Sequence, residues 1–208
     1  MGLGAIRGCS RLMVVAHPDD ETFWGGVTLA TEPGWGVICL THASTRSRRR
    51  AFKEALSTLG VPGAILDLPD RKEHAPTIED LAEIRTKLSG PLHASHVEQV
   101  MTHGPDGEYG HPLHRALSDV VTQICLDRQR LWYFNFDPGV DVASANPAGW
   151  TRKMAAVETY LGPAAGWEPA DRCHVELGRH EAPTPADDYV RPWDLVATLY
   201  STSGMDIS

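Results

Sequence analysis

Residues 16–21, Ala-His-Pro-Asp-Asp-Glu, combine a histidine with three carboxylates directly after the apolar run Leu12–Ala16. If that run is a strand of an open α/β sheet, the segment lies at its carboxyl end, where such sheets bind ligands. Buried charges are costly unless they are paired or bound to a metal, so these side chains indicate a site rather than a core. The alternative is that the carboxylates, Glu21 in particular, stabilise the start of the following helix through its dipole. That alternative does not account for His17.

A second polar segment, residues 102–114, follows another apolar run and leads into another helical pattern. It contains His111 and His114, which lie near one face of the first helical turn if Pro112 is the first helical residue. A histidine pair at this spacing is weak support on its own, because histidine is often simply a polar surface residue. Two such segments at two strand ends favour a shared metal site.

Imidazoles combined with a carboxylate suit zinc, and the absence of clustered cysteines disfavours a closed structural zinc site. Three protein ligands leave one position for water, whose pKa zinc lowers, and a second carboxylate can then take the proton. Asp19 and Asp20 could divide the roles of base and ligand. The residues by themselves therefore predict metal-assisted hydrolysis, without fixing this division or the substrate.

Short apolar runs alternate with helical patterns from Leu12 to Leu161, which predicts repeated βαβ units around a parallel sheet. The predicted strands are Leu12–Ala16, Gly36–Thr41, Ala64–Leu68, Val97–Thr102 and Leu131–Phe136. The predicted helices are Pro18–Thr31, Arg48–Leu59, one opened by Thr77 and closed by Gly90, Pro112–Arg128 and Trp150–Leu161. The segment His103–Gly110 is predicted as a loop. We expect an α/β, Rossmann-like three-layer fold with a mostly parallel sheet flanked by helices.

From residue 162 onward the sequence has five prolines and little periodicity, which is typical of loops with at most one short helix. We therefore expect a single domain over residues 1–208, made of an α/β core (1–161) and an irregular, loop-rich C-terminal tail (162–208).

The formal net charge of -8 disfavours a nucleic-acid partner, because phosphate binding draws on clustered Lys and Arg. The basic run Arg46–Arg50 is too short to change this and is typical of the solvated start of a surface helix. The sequence contains no run of about 18 apolar residues and no signal-like segment at Met1, so we expect no membrane anchor and a cytoplasmic location. The four scattered cysteines are expected to be free thiols. A homo-oligomer is compatible with the sequence.

At its two polar segments the sequence resembles the PIG-L, or LmbE-like, family of N-acetylglucosaminyl-type deacetylases. The resemblance is carried by AHPDDE (16–21) and HPLH (111–114), together with LGV (59–61) and LPD (68–70). It spans roughly Leu12 to Phe136. It implies the same Rossmann-like fold and a zinc-dependent hydrolase that removes an N-acetyl or other N-acyl group from an amino sugar, a glycoside or a related amine-bearing metabolite, releasing acetate and a free amine.

Position by position, the resemblance implies roles for six residues around one zinc ion per chain. It implies that the metal ligands are His17, Asp20 and His114, that Asp19 is the general base, that His111 is the cationic partner or general acid, and that Tyr109 steadies the developing oxyanion. The resemblance further implies that Arg48 and Asp70 contact sugar hydroxyls or phosphate.

The chain departs from the family pattern after the second predicted strand. Many relatives have a Thr-Asp/Asn-Gly-Glu-Gly-like turn there, whereas this chain has residues 41–45, Thr-His-Ala-Ser-Thr, without a glycine. His42 could line the substrate pocket, or it could be a loop histidine with ordinary partners. The stretch GEYGHPLH (107–114) is similar to members from specialised-metabolite pathways.

Two alternatives remain open beside an N-deacetylase. One is an amidase acting on another amide, such as a thiol-sugar conjugate. The other is a non-catalytic binding module that keeps the framework and the metal. The presence of Asp19 and Tyr109 disfavours the binding module, because a purely structural metal site would need neither residue.

Overall fold

The computed structural model describes residues 2–71, 74–125, 130–161 and 174–189. Six strands form one sheet in the order β3-β2-β1-β4-β5-β6, in which the first five are parallel and β6 is antiparallel to β5. The strands are β1 (Arg11–Val15), β2 (Trp35–Cys39), β3 (Gly63–Ile65), β4 (Gln99–Thr102), β5 (Leu131–Tyr133) and β6 (Thr184–Pro185). The strand order reverses between β1 and β4, and this switch point is where open α/β sheets bind ligands.

Helices cover both faces of this sheet, because its central strands are apolar on both sides. The helices are α1 (Asp20–Thr31), α2 (Arg46–Leu59), α3 (Ile78–Leu92), α4 (Gly107–Gly110), α5 (Pro112–Ile124), α6 (Val142–Ala145) and α7 (Pro147–Leu161). Alternate β1 residues point into two separate cores, with Met13 and Val15 in one and Leu12 and Val14 in the other. Helices α1, α2 and α7 pack together on one face, and α3 packs against α5 on the other. The predicted three-layer α/β fold with a mostly parallel sheet is confirmed.

Several predicted boundaries are wrong by a few residues. Helix α3 continues past Gly90 and Pro91 to Leu92, because the proline lies in the last turn and the His93 N–H still donates to the Ser89 carbonyl. Helix α7 begins at Pro147 rather than Trp150, as proline is well suited to the first helical position.

Other elements also differ from the sequence prediction. Helix α5 ends at Ile124, four residues before the predicted end at Arg128, which lies outside the described residues. Strand β5 ends at Tyr133 rather than Phe136. The predicted loop His103–Gly110 contains the short helix α4.

The described part of the C-terminal tail, residues 174–189, has little regular structure, in agreement with the prediction of loops with at most one short helix. It contains a short helix at 174–177, a 3-10 turn at Gly178–His180 and the edge strand β6. Residues 162–173 and 190–208 of the predicted tail lie outside the described residues.

A buried ion pair attaches this segment to the core. Lys153 Nζ of α7 donates to the carbonyls of Phe23 and Gly178 and lies 3.2 Å from the Glu181 carboxylate. Glu181 in turn accepts the N–H groups of Val27 and Thr28, just after the kink in α1 at Gly25. These partners lie far away in sequence, which is why local periodicity did not reveal them.

Over the described ranges, no helix combines the length and the apolarity needed to cross a bilayer. Cys9 and Cys39 are buried free thiols and Cys125 is a half-buried one, as predicted, while Cys173 lies outside the described residues.

Candidate metal and catalytic site

The two polar segments meet at the carboxyl ends of β1 and β4, as their positions after neighbouring parallel strands require. The backbone is strained here. Among the described residues, the only non-glycine residues with positive φ are Asp19 (133°), His42 (68°) and Glu108 (57°), and all three belong to or border this site. Such conformations persist only where surrounding contacts enforce them, and they cluster at functional sites.

Three donor atoms form a compact triangle at the centre of the site. His17 Nδ1 lies 3.2 Å from His114 Nε2, and each of these nitrogens lies 3.4 Å from Asp20 Oδ2. All three residues are buried. Wider groupings of donor atoms join His111 to His17 and His114, or His103 to Asp20 and His114, within 4.8 Å, so His114 belongs to each grouping found among the described residues.

Each member of the triangle is oriented by a further partner. His17 Nε2 faces Asp70 Oδ2 at 3.5 Å, and His114 Nδ1 hydrogen-bonds Glu108 Oε2 at 2.7 Å. Asp20 accepts the indole N–H of Trp24 at Oδ1 and the backbone N–H of His17 at Oδ2. A carboxylate behind each imidazole is the arrangement that orients metal-binding histidines in proteins, because it fixes the tautomer and the ring plane.

His103 and Glu108 lie in the second polar segment, 102–114, but no signal in the sequence indicated that either belongs to the site. Glu108 accepts hydrogen bonds from His103 Nδ1 and His114 Nδ1, both at 2.7 Å, and from the Gly104 N–H. His103 is fully buried, and its Nε2 accepts the backbone N–H of Ala16. Glu108 and Asp20 raise the pKa of His103 to about 9 against the effect of burial, but only an unprotonated Nε2 can accept the N–H that points at it. We therefore interpret His103 as a neutral residue that ties the two segments together.

The carboxylates make the centre of the site attractive to positive charge. Burial lowers the pKa of His17, but hydrogen bonds to Asp20 and Asp70 outweigh it and raise that pKa to about 9. Burial raises the pKa of Asp20, but the interaction with His114 opposes it, and that pKa lies well below its ordinary value. The same carboxylates that stabilise a protonated imidazole would also stabilise a divalent cation bound at these atoms.

Asp19 is the N-cap residue of α1 and lies beside the triangle, and its carboxylate pairs with Arg48. Arg48 Nη1 is 3.2 Å from Asp19 Oδ2. Burial raises the pKa of Asp19 to about 6, with Asp20 acting in the same direction and Arg48 opposing it. Arg48 was expected to contact the substrate, and the structure shows that it contacts Asp19. The Arg48 side chain is also 38% exposed.

His111 and Tyr109 lie next to the imidazole rings of the triangle. The His111 ring centroid lies 4.8 Å from that of His17 and 4.5 Å from that of His114. His111 Nδ1 accepts the N–H of Leu113, which leaves the proton on Nε2, and burial together with the neighbouring imidazoles lowers the His111 pKa to about 3. Burial raises the pKa of Tyr109 well above its ordinary value, so its phenol stays protonated.

The structure brings all nine predicted site residues into one region, with Asp70 bridging His17 and His42 at 3.5 and 3.7 Å. The site residues that the sequence did not reveal are His103, Glu108, Trp24 and His174. His174 comes from the described tail and stacks on Tyr109 with ring centroids 5.2 Å apart. Glu21, expected to serve the start of α1, accepts the backbone N–H of the N-cap residue Asp19 and is fully buried.

Comparison with known proteins gives a family match over the core. The family model described as PIG-L: GlcNAc-PI de-N-acetylase matches residues 12–125. Uncharacterized protein L374 of Acanthamoeba polyphaga mimivirus is 29% identical over 157 residues, covering 65% of this chain and 68% of the relative. The 1D-myo-inositol 2-acetamido-2-deoxy-alpha-D-glucopyranoside deacetylase of Corynebacterium diphtheriae is 27% identical over 199 residues, covering 72% and 66%. The matched segments thus span about two thirds of each relative.

The fold is similar to that of the conserved protein TT1542 from Thermus thermophilus. That crystal structure superimposes with a TM-score of 0.60 at 21% identity, covering 89% of this chain and 98% of the other. At this level of identity the likeness concerns the fold and not the activity.

Proposed function

Because the chain belongs to the PIG-L family, whose model is described as GlcNAc-PI de-N-acetylase, we propose that it is a zinc-dependent N-deacetylase of small amino-sugar metabolites. Membership of this family makes the chain a deacetylase-type hydrolase. The proposed zinc site and catalytic base rest on the triangle of His17, Asp20 and His114 donor atoms with the Asp19 carboxylate beside it. The name of the corynebacterial relative supports an N-acetylated amino sugar as substrate.

The donor set fits zinc in type and in spacing. Ligand atoms about 2.0–2.2 Å from a tetrahedral zinc lie about 3.3–3.6 Å from one another, and the three measured separations are 3.2, 3.4 and 3.4 Å. His103 is excluded from the ligand set because its Nε2 already accepts the Ala16 N–H. When bound, zinc polarises a carbonyl oxygen and lowers the pKa of water.

Asp19 acts as the base in this proposal. Arg48 fixes Oδ2 of the carboxylate, so we assign proton acceptance from the attacking water to Oδ1. The water oxygen bonds to the acetamide carbon, the carbon–nitrogen bond breaks, and Asp19 returns its proton to the leaving nitrogen. The acid formed passes its remaining proton to the amine, so the products are acetate and an ammonium ion, and atoms and charge balance.

Tyr109 and His111 act as hydrogen-bond donors to the carbonyl oxygen as it gains negative charge. Both are neutral donors in this proposal, Tyr109 through its phenol and His111 through Nε2–H. The resemblance implied that His111 is the cationic partner or general acid; we propose the neutral form because its Nδ1 accepts the Leu113 N–H and an imidazolium has no acceptor nitrogen. Donors already aimed at the developing charge are a large source of rate enhancement.

Substrate contacts remain part of the proposal. The Arg48 and His42 side chains are 38% and 30% exposed, so their outer edges are available to sugar hydroxyls. Asp70 is 17% exposed and already faces both His17 and His42. Its first role is therefore to orient these two rings.

The proposal is tested with zinc-loaded protein and a panel of N-acetylated amino sugars, with acetate release as the readout. We expect His114→Ala to lose most bound zinc, whereas Asp19→Asn and His111→Ala keep zinc and lose turnover. His96→Ala, which alters an exposed histidine before β4, is the matched control and should change neither quantity.

Three results would count against the proposal in different ways. Zinc loss in His111→Ala with retention in His114→Ala would reverse the two histidine roles. Absence of acetate release from every sugar, together with retained zinc binding, would favour the binding module. Release of an amine from a thiol-sugar amide alone would favour the amidase.

A further inference from the structure

Glu21 is a fully buried carboxylate that the proposed chemistry does not use. Its Oε1 accepts hydrogen bonds from the Tyr160 hydroxyl at 2.5 Å and from the Thr22 hydroxyl at 2.7 Å, and its Oε2 accepts the backbone N–H of Asp19 at 3.1 Å. A buried carboxylate is costly unless it is well hydrogen-bonded. A carboxylate at this buried position therefore indicates a role that an apolar residue could not supply.

The Asp19 backbone explains what Glu21 stabilises. Asp19 has φ 133° and ψ -34°, a region that residues with a Cβ rarely adopt, and such conformations need several contacts to persist. The Asp19 carbonyl accepts the N–H groups of Thr22 and Phe23, which ties it to the first turn of α1. The Asp19 N–H, on the other side of the same residue, donates to Glu21 Oε2. The two sets of bonds together fix the direction in which the Asp19 side chain leaves the backbone.

Tyr160 connects this turn to a distant part of the chain. It lies near the end of α7, 139 residues after Glu21, and α7 packs against both α1 and α2. Its ring is half-buried against the core, so the hydroxyl is held at a fixed place. The Tyr160 hydroxyl thus links the end of α7 to the Glu21 carboxylate, which the Thr22 hydroxyl and the Asp19 N–H also contact.

We propose that Glu21 and Tyr160 are positioning residues that hold Asp19 in the strained conformation from which its carboxylate serves the triangle of His17, Asp20 and His114. The inference rests on the proposed function, because it takes Asp19 as the base. If Tyr160 only satisfied the buried Glu21 carboxylate, Glu21 Oε2 would not need to accept the backbone N–H of Asp19, the proposed base. Loss of the Tyr160 hydroxyl should change kcat and the exchange of the Asp19 amide if Tyr160 positions Asp19, and neither if Tyr160 only satisfies the buried carboxylate.

The test compares Tyr160→Phe with Thr159→Val. The first removes only the hydroxyl that binds Glu21. The second removes the hydroxyl of the preceding residue on α7, which donates to the Ala51 and Ala156 carbonyls and does not touch the turn at Asp19. We expect kcat to fall by about 10- to 100-fold in Tyr160→Phe, with KM and bound zinc little changed, because small misplacements of a reacting group cost that much. Thr159→Val should keep kcat.

A second readout is independent of activity. Hydrogen exchange of the Asp19 amide, followed by NMR, should be faster in Tyr160→Phe than in the parent protein and unchanged in Thr159→Val. If Tyr160→Phe does not fold, Glu21→Gln serves instead, because one amide oxygen cannot replace both carboxylate oxygens, and it should give the same faster exchange and lower kcat.

Full kcat in Tyr160→Phe, an equal loss in Thr159→Val, or unchanged protection of the Asp19 amide would each overturn the inference. Full activity of Asp19→Asn would instead overturn the proposed base. The two failures are therefore distinguishable.

Discussion

Replacing Glu108 by glutamine removes one negative charge and one acceptor from behind the metal-binding face of His114. Glu108 accepts from His103 Nδ1, His114 Nδ1 and the Gly104 N–H, and its side chain is nearly fully buried. Burial raises the pKa of Glu108, but the two histidines outweigh it and lower that pKa to about 2, so the parent residue is ionised at neutral pH. Glutamine has almost the same shape, and the change therefore tests charge and hydrogen bonding rather than volume.

The amide of glutamine cannot satisfy all three donors. If its oxygen faces the two imidazoles, its NH2 group meets the Gly104 N–H. If it is flipped, the NH2 group meets His114 Nδ1, and His114 then places its proton on Nε2, the atom that faces His17 and Asp20. A protonated Nε2 cannot bind a metal. Changes to such outer partners typically lower metal affinity about 10- to 100-fold, which corresponds to about 1.4–2.8 kcal/mol.

The assay is competition for zinc between the protein and a chromogenic chelator, followed by kcat at saturating zinc. We expect Glu108→Gln to bind zinc about 10- to 100-fold more weakly and to recover part of its activity when zinc is in excess. Glu83→Gln, the same change at an exposed position of α3, should bind zinc as the parent does. Unchanged affinity in Glu108→Gln would refute the role assigned to Glu108 and the choice of Nε2 as the ligand atom of His114.

Two further predictions concern stability. Lys153→Met should destabilise the fold by about 3–5 kcal/mol, because it leaves the Glu181 carboxylate buried without its cation. Urea denaturation measures the free energy of unfolding, and a loss below about 1 kcal/mol would contradict a stabilising role of the Lys153–Glu181 pair. The hydrogen bond from Arg71 lowers the pKa of Asp80 to about 2. The Arg71–Asp80 pair therefore stabilises the fold above the ordinary aspartate pKa of about 3.9, and this stabilisation is lost as the pH falls toward 2. The difference in urea midpoint between the parent and Asp80→Asn should therefore shrink across this acid range, and a constant difference would show that the pair adds no pH dependence.

The sequence predicted the architecture well because its signals are local. Apolar runs separated by helical patterns report burial along each element, and they were sufficient for a parallel sheet with helices on both faces. The two polar segments could be assigned to one site because carboxyl ends of neighbouring parallel strands lie at the same edge. The predicted boundaries failed near Pro91 and Pro147, where proline is tolerated in a last or first turn rather than ending the helix.

The attachment of residues 174–189 to the core could not be predicted for a related reason. It comes from Glu181, which binds Lys153 and the N–H groups near the kink of α1. These contacts join positions up to 154 residues apart, and no periodic pattern reports them. The same tail supplies His174, whose stacking on Tyr109 could not be inferred from the residues around either position.

What the sequence determined by itself is the inventory of the site: an imidazole and adjacent carboxylates after one strand, and two more imidazoles after another. Only the tertiary structure decided how these groups are used. It brought His17, Asp20 and His114 to within 3.2–3.4 Å of one another and occupied the Nε2 of His103 with a backbone N–H. The physical reason is that residue type fixes which bonds a side chain is able to form, whereas the partner it actually meets depends on the packing of distant segments.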